Sequence, residues 1–206
     1  MKYGKTPLRL NGGEYLKVHP NTTLSETPLT IAKQNDPIVD KDSTIKNGWL
    51  VEADHIDIPI ILFTDLPNLK KHEIKQVNFP QNYIWPGDTF HFKYNDVNYT
   101  LYATGGKFHD KSYGDQVWYD VWNYKLYLSM TKNGMTVSQL IVAAPHYSST
   151  MAEVEFIGDI DGDSMPDMII NTTHHYNVEC PTLYLSKFSN KYQLLKIAGC
   201  HFTVGC

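Results

Sequence analysis

Cysteine is scarce. Only Cys180, Cys200 and Cys206 occur, all near the C-terminal end. Three cysteines cannot frame a disulfide-rich miniature domain, and no Cys-x-x-Cys pair is present to hold zinc. Long hydrophobic runs are also missing, and none reaches the ~20 residues that a membrane-crossing helix needs. No basic run exceeds Lys70-Lys71, and the formal net charge is −4. That charge balance argues against a phosphate-binding, nucleic-acid surface. The sequence lacks a Gly-x-Ser-x-Gly elbow, a Ser-x-x-Lys pair, a His-Glu-x-x-His pair and a glycine-rich phosphate loop, so the common nucleophile and metallohydrolase signatures are absent.

The remainder describes a globular chain. Apolar residues make up 42% and charged residues 19% of 206 positions, a balance that suits a packed core rather than disorder. Fourteen tyrosines raise the aromatic share to 13%, which favours strands. Alternation is cleanest over residues 89–94 and 97–102, on either side of Asn95-Asp96, which reads as a hairpin. A second long hairpin spans residues 117–143, with Asn133-Gly134 as a type I′ turn. Residues 135–143 have the length of a short helix, but their β-branched content favours strand. Shorter strands are expected at 14–18, 24–32, 49–53, 56–63 and 70–78. Residues 107–115 and 145–150 read as polar loops. The expected fold is mostly β, with antiparallel sheets packed as a sandwich or open barrel. A boundary near 105–115 divides an N-terminal module (1–106) from a C-terminal one (107–206), unless the two form one continuous domain.

The most informative stretch runs Phe156-Ile157-Gly158-Asp159-Ile160-Asp161-Gly162-Asp163-Ser164-Met165-Pro166-Asp167-Met168-Ile169-Ile170. Asp159, Asp161, Asp163 and Asp167 stand at relative positions 1, 3, 5 and 9. Folded into one loop, such carboxylates lie roughly 5 Å apart and repel by about 3 kcal/mol per pair at an effective dielectric near 20. A cation relieves that repulsion, and a shell of hard oxygens suits Ca²⁺. The backbone carbonyl of Met165 is a further candidate ligand. An EF-hand is excluded, because its positions 6 and 12 require Gly and Glu where this chain has Ser164 and Ile170. Apolar runs on both sides point instead to a strand–loop–strand site.

In these residues the segment resembles the calcium loops of FG-GAP (VCBS-like) repeats of integrin α-chains and secreted bacterial proteins. The likeness covers about residues 153–187. It implies Asp159, Asp161, Asp163 and Asp167 as side-chain ligands of Ca²⁺. Ser164 departs from the glycine usual in such loops. Only one aspartate loop occurs, so a propeller of repeats is not expected. Extracellular modules bind calcium at about 10⁻⁴–10⁻³ M, far above cytosolic levels. The expected location is therefore periplasmic or secreted, with an export signal removed ahead of Met1-Lys2-Tyr3-Gly4.

Strands at 182–187 and 192–198, folded about residues 188–191, bring position 180 opposite 200. That pairing predicts a Cys180–Cys200 cross-strand disulfide, with Cys200–Cys206 as the rival. His174-His175-Tyr176 follows the strand that leaves the aspartate loop. It is a candidate for a loop site, as a strand-end cap or as a general base. The stripe from Trp118 to Tyr127 places Trp118, Trp122 and Tyr124 at one parity, as core or as a platform for a partner or glycan. The preferred expectation is a calcium-stabilised, exported binding protein without catalysis. Its most concrete form is an envelope inhibitor or immunity protein that blocks a partner toxin or hydrolase. An envelope hydrolase using His174 or His175 and a glycan-binding or adhesive module are the alternatives.

Overall fold

The computed structural model describes residues 22–24, 29–35, 44, 46, 48–53, 70, 72–113, 116–148, 150–175, 177–186 and 193–204. The strand candidates at 14–18 and 56–63, and Cys206, lie outside them. Among the described residues all regular structure is β: β1 (Thr22–Leu24), β2 (Leu29–Gln34), β3 (Gly48–Ala53), β4 (His72–Ile74), β5 (Thr89–Tyr94), β6 (Val97–Tyr113), β7 (Gln116–Lys132), β8 (Met135–Ser148), β9 (Glu153–Gly158), β10 (Asp167–Asn171), β11 (Val178–Glu179), β12 (Pro181–Leu185), β13 (Lys196–Cys200) and β14 (Thr203–Val204).

Two four-stranded antiparallel sheets dominate, in the orders β5-β6-β7-β8 and β13-β12-β10-β9. Neither closes into a barrel. The first is built on local turn chemistry. Asn95 and Asp96 take φ of 42° and 66°, and Asn133 and Gly134 take 50° and 75°. These left-handed pairs match the strand twist and set two tight hairpins. Alternation then turns Phe92 and Tyr94 of β5 inward. Three two-stranded pairs, β1-β4, β2-β3 and β11-β14, complete the set.

The two large sheets share one core. Tyr94, Tyr99, Leu101, Tyr124 and Leu126 of the first meet Val154, Ile157, Met168, Ile170 and Tyr184 of the second. The other face of the second sheet is covered too, with Ile74, Phe156, Ile160, Ile169, Leu183 and Leu185 forming a separate cluster. Burial on both faces explains why β10 and β12 read as continuous apolar runs rather than alternating ones. β6 runs unbroken through the region of the expected module boundary, and the core takes side chains from both sides of residue 106.

Four expectations are corrected. Residues 107–113 are strand, not loop, and pair with β7 through Lys107↔Val121, Phe108↔Asp120 and His109↔Tyr119. Lys107, Phe108 and His109 are all exposed, so no inside–outside alternation marked the strand. Residues 145–148 likewise continue β8 as far as Ser148.

The aromatic stripe is split. Thr104 pairs with Lys125 but Gly106 with Trp122, so Asn123 and Tyr124 together oppose Gly105. This bulge has Asn123 at φ 54° and Gly105 at φ 143°. It reverses the facing of the strand. Tyr124 is 1% exposed in the core, whereas Trp122 is 47% exposed on the outside. The side chain of Trp118 lies outside the described residues.

The Cys180–Cys200 bridge is not formed, and both are free thiols. Cys200 stands opposite Thr182, not Cys180, and a register shift follows between Leu183 and Tyr184. The two thiols are therefore diagonal rather than opposed. Burial, then the neighbouring Cys180, raises the Cys200 thiol above its usual range.

A Cβ on Gly105 would stand 2.8 Å from the Trp122 carbonyl oxygen, at a φ that side chains avoid. Gly105→Ala is expected to cost about 1–3 kcal/mol, read as a lower urea midpoint at unchanged slope.

Candidate metal centre

β9 ends where only glycine fits. A Cβ on Gly158 would lie 2.8 Å from the Phe156 ring and 3.0 Å from the Lys75 carbonyl oxygen. The absence of one lets Gln76 bridge Gly158 directly. The chain then winds around its own carboxylates. Asp159 Oδ1 accepts the N–H groups of Gly162 at 2.7 Å and Asp163 at 3.0 Å, and Oδ2 accepts that of Ser164 at 2.8 Å. Asp161 Oδ1 accepts the Asp163 N–H at 3.3 Å. Gly162 and Ser164 take φ of 79° and 71°. Ser164 thus holds the left-handed position at which the resemblance expects glycine, at a cost of about 1–2 kcal/mol.

Asp167 closes the loop from below and is completely buried. Its Oδ2 accepts the Ile160 N–H at 2.7 Å and the Asp161 N–H at 3.2 Å. Its Oδ1 accepts the Ser186 N–H at 2.7 Å and the Ser186 hydroxyl at 2.9 Å. Burial pushes this carboxyl up to about 7, against the lowering effect of Ser186 and Ile160 and with a smaller upward push from Asp161. In that range, Asp167 stands between its protonated and ionised forms near neutral pH.

Asp159, Asp161 and Asp167 each present one oxygen, all within 4.8 Å of one another. Two oxygens bound to one Ca²⁺ at 2.3–2.6 Å can be at most about 5 Å apart, so the spacing fits that ion, and the all-oxygen donor set fits it chemically. Asp163 is outside this triad. Its Oδ1 accepts the Met165 N–H at 2.8 Å, and both its oxygens lie 3.0 Å from the Ser186 hydroxyl, whose one proton Asp163 and Asp167 share. For Met165, the structure assigns this N–H bond.

Sequence reasoning missed four residues that seat the loop. Ser186 follows the fully buried β12 and reaches both Asp163 and Asp167. A serine directly after the apolar run Leu183-Tyr184-Leu185 was the available signal. The other three come from far away in the chain. The Tyr94 hydroxyl accepts the Asp159 N–H at 3.1 Å and donates to the Lys75 carbonyl at 2.9 Å. Asn95 donates its amide to the Ser164 carbonyl at 2.9 Å. His72 places Nδ1 2.8 Å from the Lys70 carbonyl and Nε2 3.0 Å from the Asp159 carbonyl. Carbonyls only accept, so satisfying both requires two ring N–H groups, the imidazolium form. The His72 pKa is accordingly raised, chiefly by the Lys70 bond.

His174 and His175 do not join this site. Both are exposed at the far end of β10. His175 Nδ1 accepts the Asn177 N–H at 3.2 Å, a strand-end cap. Tyr176 lies outside the described residues. A further buried carboxyl occurs on β9, where Glu155 is the extra residue between Val154 and Phe156 of a bulge. Its Oε2 has no hydrogen-bond partner among the described residues. Burial, then Glu153 and Glu179, push this group up to about 8. Comparison with protein families, curated proteins and solved structures finds no match for this chain.

Asp167 and Glu155 both hold a proton more tightly in the folded chain than in the unfolded one. Their contribution to stability is full below about pH 4 and is lost as pH rises through the folded values of about 7 and about 8. In chelator, the melting temperature is expected to fall steadily between about pH 5 and 9. Asp167→Asn should make that fall shallower below about pH 7, and Glu155→Gln should make it shallower up to about pH 8, both read by thermal melts across pH.

Proposed function

We propose that this chain is a calcium-stabilised protein that works by binding and acts outside the cytoplasm, in the periplasm or after secretion. The observation that carries the reading is the triad of Asp159, Asp161 and Asp167 around a completely buried carboxylate. Ca²⁺ at that point supplies the positive charge the loop itself lacks, and it ties β9, β10 and the end of β12 into one unit. The resemblance to FG-GAP-type loops supports the same ion. Calcium at the triad is a structural element in this reading, and function lies in the surface it holds in shape.

The partner in this reading is another protein. An inhibitor or immunity protein that caps a toxin or hydrolase of the envelope is its most concrete form. A frame of two sheets on one shared core supports it, because a rigid surface loses little entropy on docking.

Titration calorimetry and thermal melts with and without chelator test the calcium step. At about 100 times the dissociation constant, calcium is expected to add about 2.7 kcal/mol, a rise of roughly 5–10 °C in melting temperature for a chain of this size. Asp167→Asn should abolish that rise. A melting temperature indifferent to both calcium and chelator refutes the reading. Pull-down from an envelope extract, with calcium and then with chelator, tests the partner. A protein retained only with calcium is the expected outcome.

A further inference from the structure

Two thiols meet at the junction of two β-ribbons. Cys180 stands between β11 and β12, and Cys200 ends β13 shortly before β14. β11 pairs with β14 and β12 with β13, so both cysteines lie where the chain passes from one pair to the other. The ladder at this point is well defined. The His201 N–H donates to the Pro181 carbonyl at 3.1 Å, which makes Thr182 and Cys200 a non-hydrogen-bonded pair, the kind that brings side chains closest. Cys180 is the diagonal neighbour of Cys200 across it. The Cys180 N–H donates to Asn171 Oδ1 at 3.0 Å, and its carbonyl accepts the Thr172 N–H and the Thr182 hydroxyl, both at 3.1 Å. With its backbone held on both sides, Cys180 brings its thiol within hydrogen-bonding reach of the Cys200 thiol.

Two adjacent thiols have a narrow chemistry. They share a soft cation, or they oxidise to a disulfide. A structural zinc or an iron–sulfur cluster takes four protein donors. Among the described residues, no His, Asp or Glu joins these thiols to make even a group of three. Access favours oxidation as well. Cys200 is exposed on the edge strand of its sheet, and Cys180 is half-buried beside it. Cys200 is thus the thiol that an oxidant from solvent meets first, and Cys180 is placed to resolve the product. Because the two are diagonal, closing the bond requires β13 to shift against β12. The edge position of β13 and the unpaired Ala198 at its bulge give it room to do so. A bond made by such a shift is readily reduced again.

We propose that Cys180 and Cys200 form a reversible redox pair, closed to a disulfide by a small-molecule disulfide and reopened by a thiol. The Cys200 thiolate attacks one sulfur of the oxidant and expels a thiolate, which takes up the proton that Cys200 released. The Cys180 thiolate then attacks the Cys200 sulfur of this mixed disulfide and expels the second thiolate, which is protonated in turn. One S–S bond breaks for each one formed, and two electrons pass from the cysteine sulfurs to the oxidant. Closed, the bond ties both ribbons together at their junction; the structure shows the open, dithiol form.

The pair does not rest on calcium, and neither does its test. The full chain, reduced, is equilibrated with oxidised and reduced glutathione at graded ratios, quenched with acid, alkylated and peptide-mapped by mass spectrometry. Cys180 and Cys200 are expected to leave the free-thiol pool together as one bridged peptide pair, and millimolar reduced glutathione to restore both. Cys180→Ser is expected to accumulate at least about tenfold more Cys200–glutathione mixed disulfide than the parent, since no resolving thiol remains. Thermal melts check that the variant is folded. The proposal is overturned if Cys200 bridges to Cys206, if both thiols stay free in excess oxidised glutathione, or if millimolar reduced glutathione leaves the bond closed. It is equally overturned if the parent accumulates as much mixed disulfide as Cys180→Ser, or if the parent retains a zinc ion that Cys200→Ser loses.

Discussion

A carboxylate with no access to water organises the C-terminal half. Asp167 starts β10, directly before three apolar residues that are buried on both faces of their sheet. Removal from water raises its proton affinity and leaves a charge that the nearby side chains cannot neutralise. The structure answers with hydrogen bonds. Two loop N–H groups and Ser186 converge on its oxygens, and the same hydroxyl reaches Asp163. These bonds fix the β9–β10 turn relative to the end of β12, and they collect the carboxylates of Asp159 and Asp161 above the buried one. The spacing of these oxygens fits a hard divalent ion, and the proposal of calcium rests on that fit.

The N-terminal part of the molecule serves that turn. His72, Tyr94 and Asn95 come from β4 and from the tip of the first hairpin, and each bonds to loop backbone rather than to a carboxylate. Tyr94 does double duty, with its ring in the shared core and its hydroxyl between Asp159 and Lys75. Any motion of the aspartate loop must therefore disturb the packing between the two sheets. The shape of the loop and the packing of the sheet pair are linked through these contacts.

On the first sheet the governing feature is a backbone kink. Long antiparallel ribbons need bulges to twist and curve. At Gly105 and Asn123 the bulge also exchanges inside for outside. Tyr124, Leu126 and Leu128 enter the core beyond it, while Trp122 and Phe108 before it are left facing solvent. A core tyrosine and a surface tryptophan thus stand two residues apart in one strand. Trp122 stays exposed there, stacked on His146.

What the chain wrote locally could be read locally. Asn95-Asp96 and Asn133-Gly134 determined their hairpins, because left-handed turns demand those residue types. Apolar runs marked β10 and β12, and the spacing of four aspartates marked the loop. Register, facing and long-range contacts were decided only in three dimensions. A bulge adds one residue and inverts every parity argument after it, so Trp122 and Tyr124 parted. A shift of two positions between β12 and β13 set Thr182 in place of Cys180 opposite Cys200. The strand at residues 107–109, exposed at every position, carried no periodic signal, because water, not packing, surrounds those side chains. Ser186 and His72 reached the aspartates only through folding, since hydrogen bonds between residues distant in sequence leave no spacing to read.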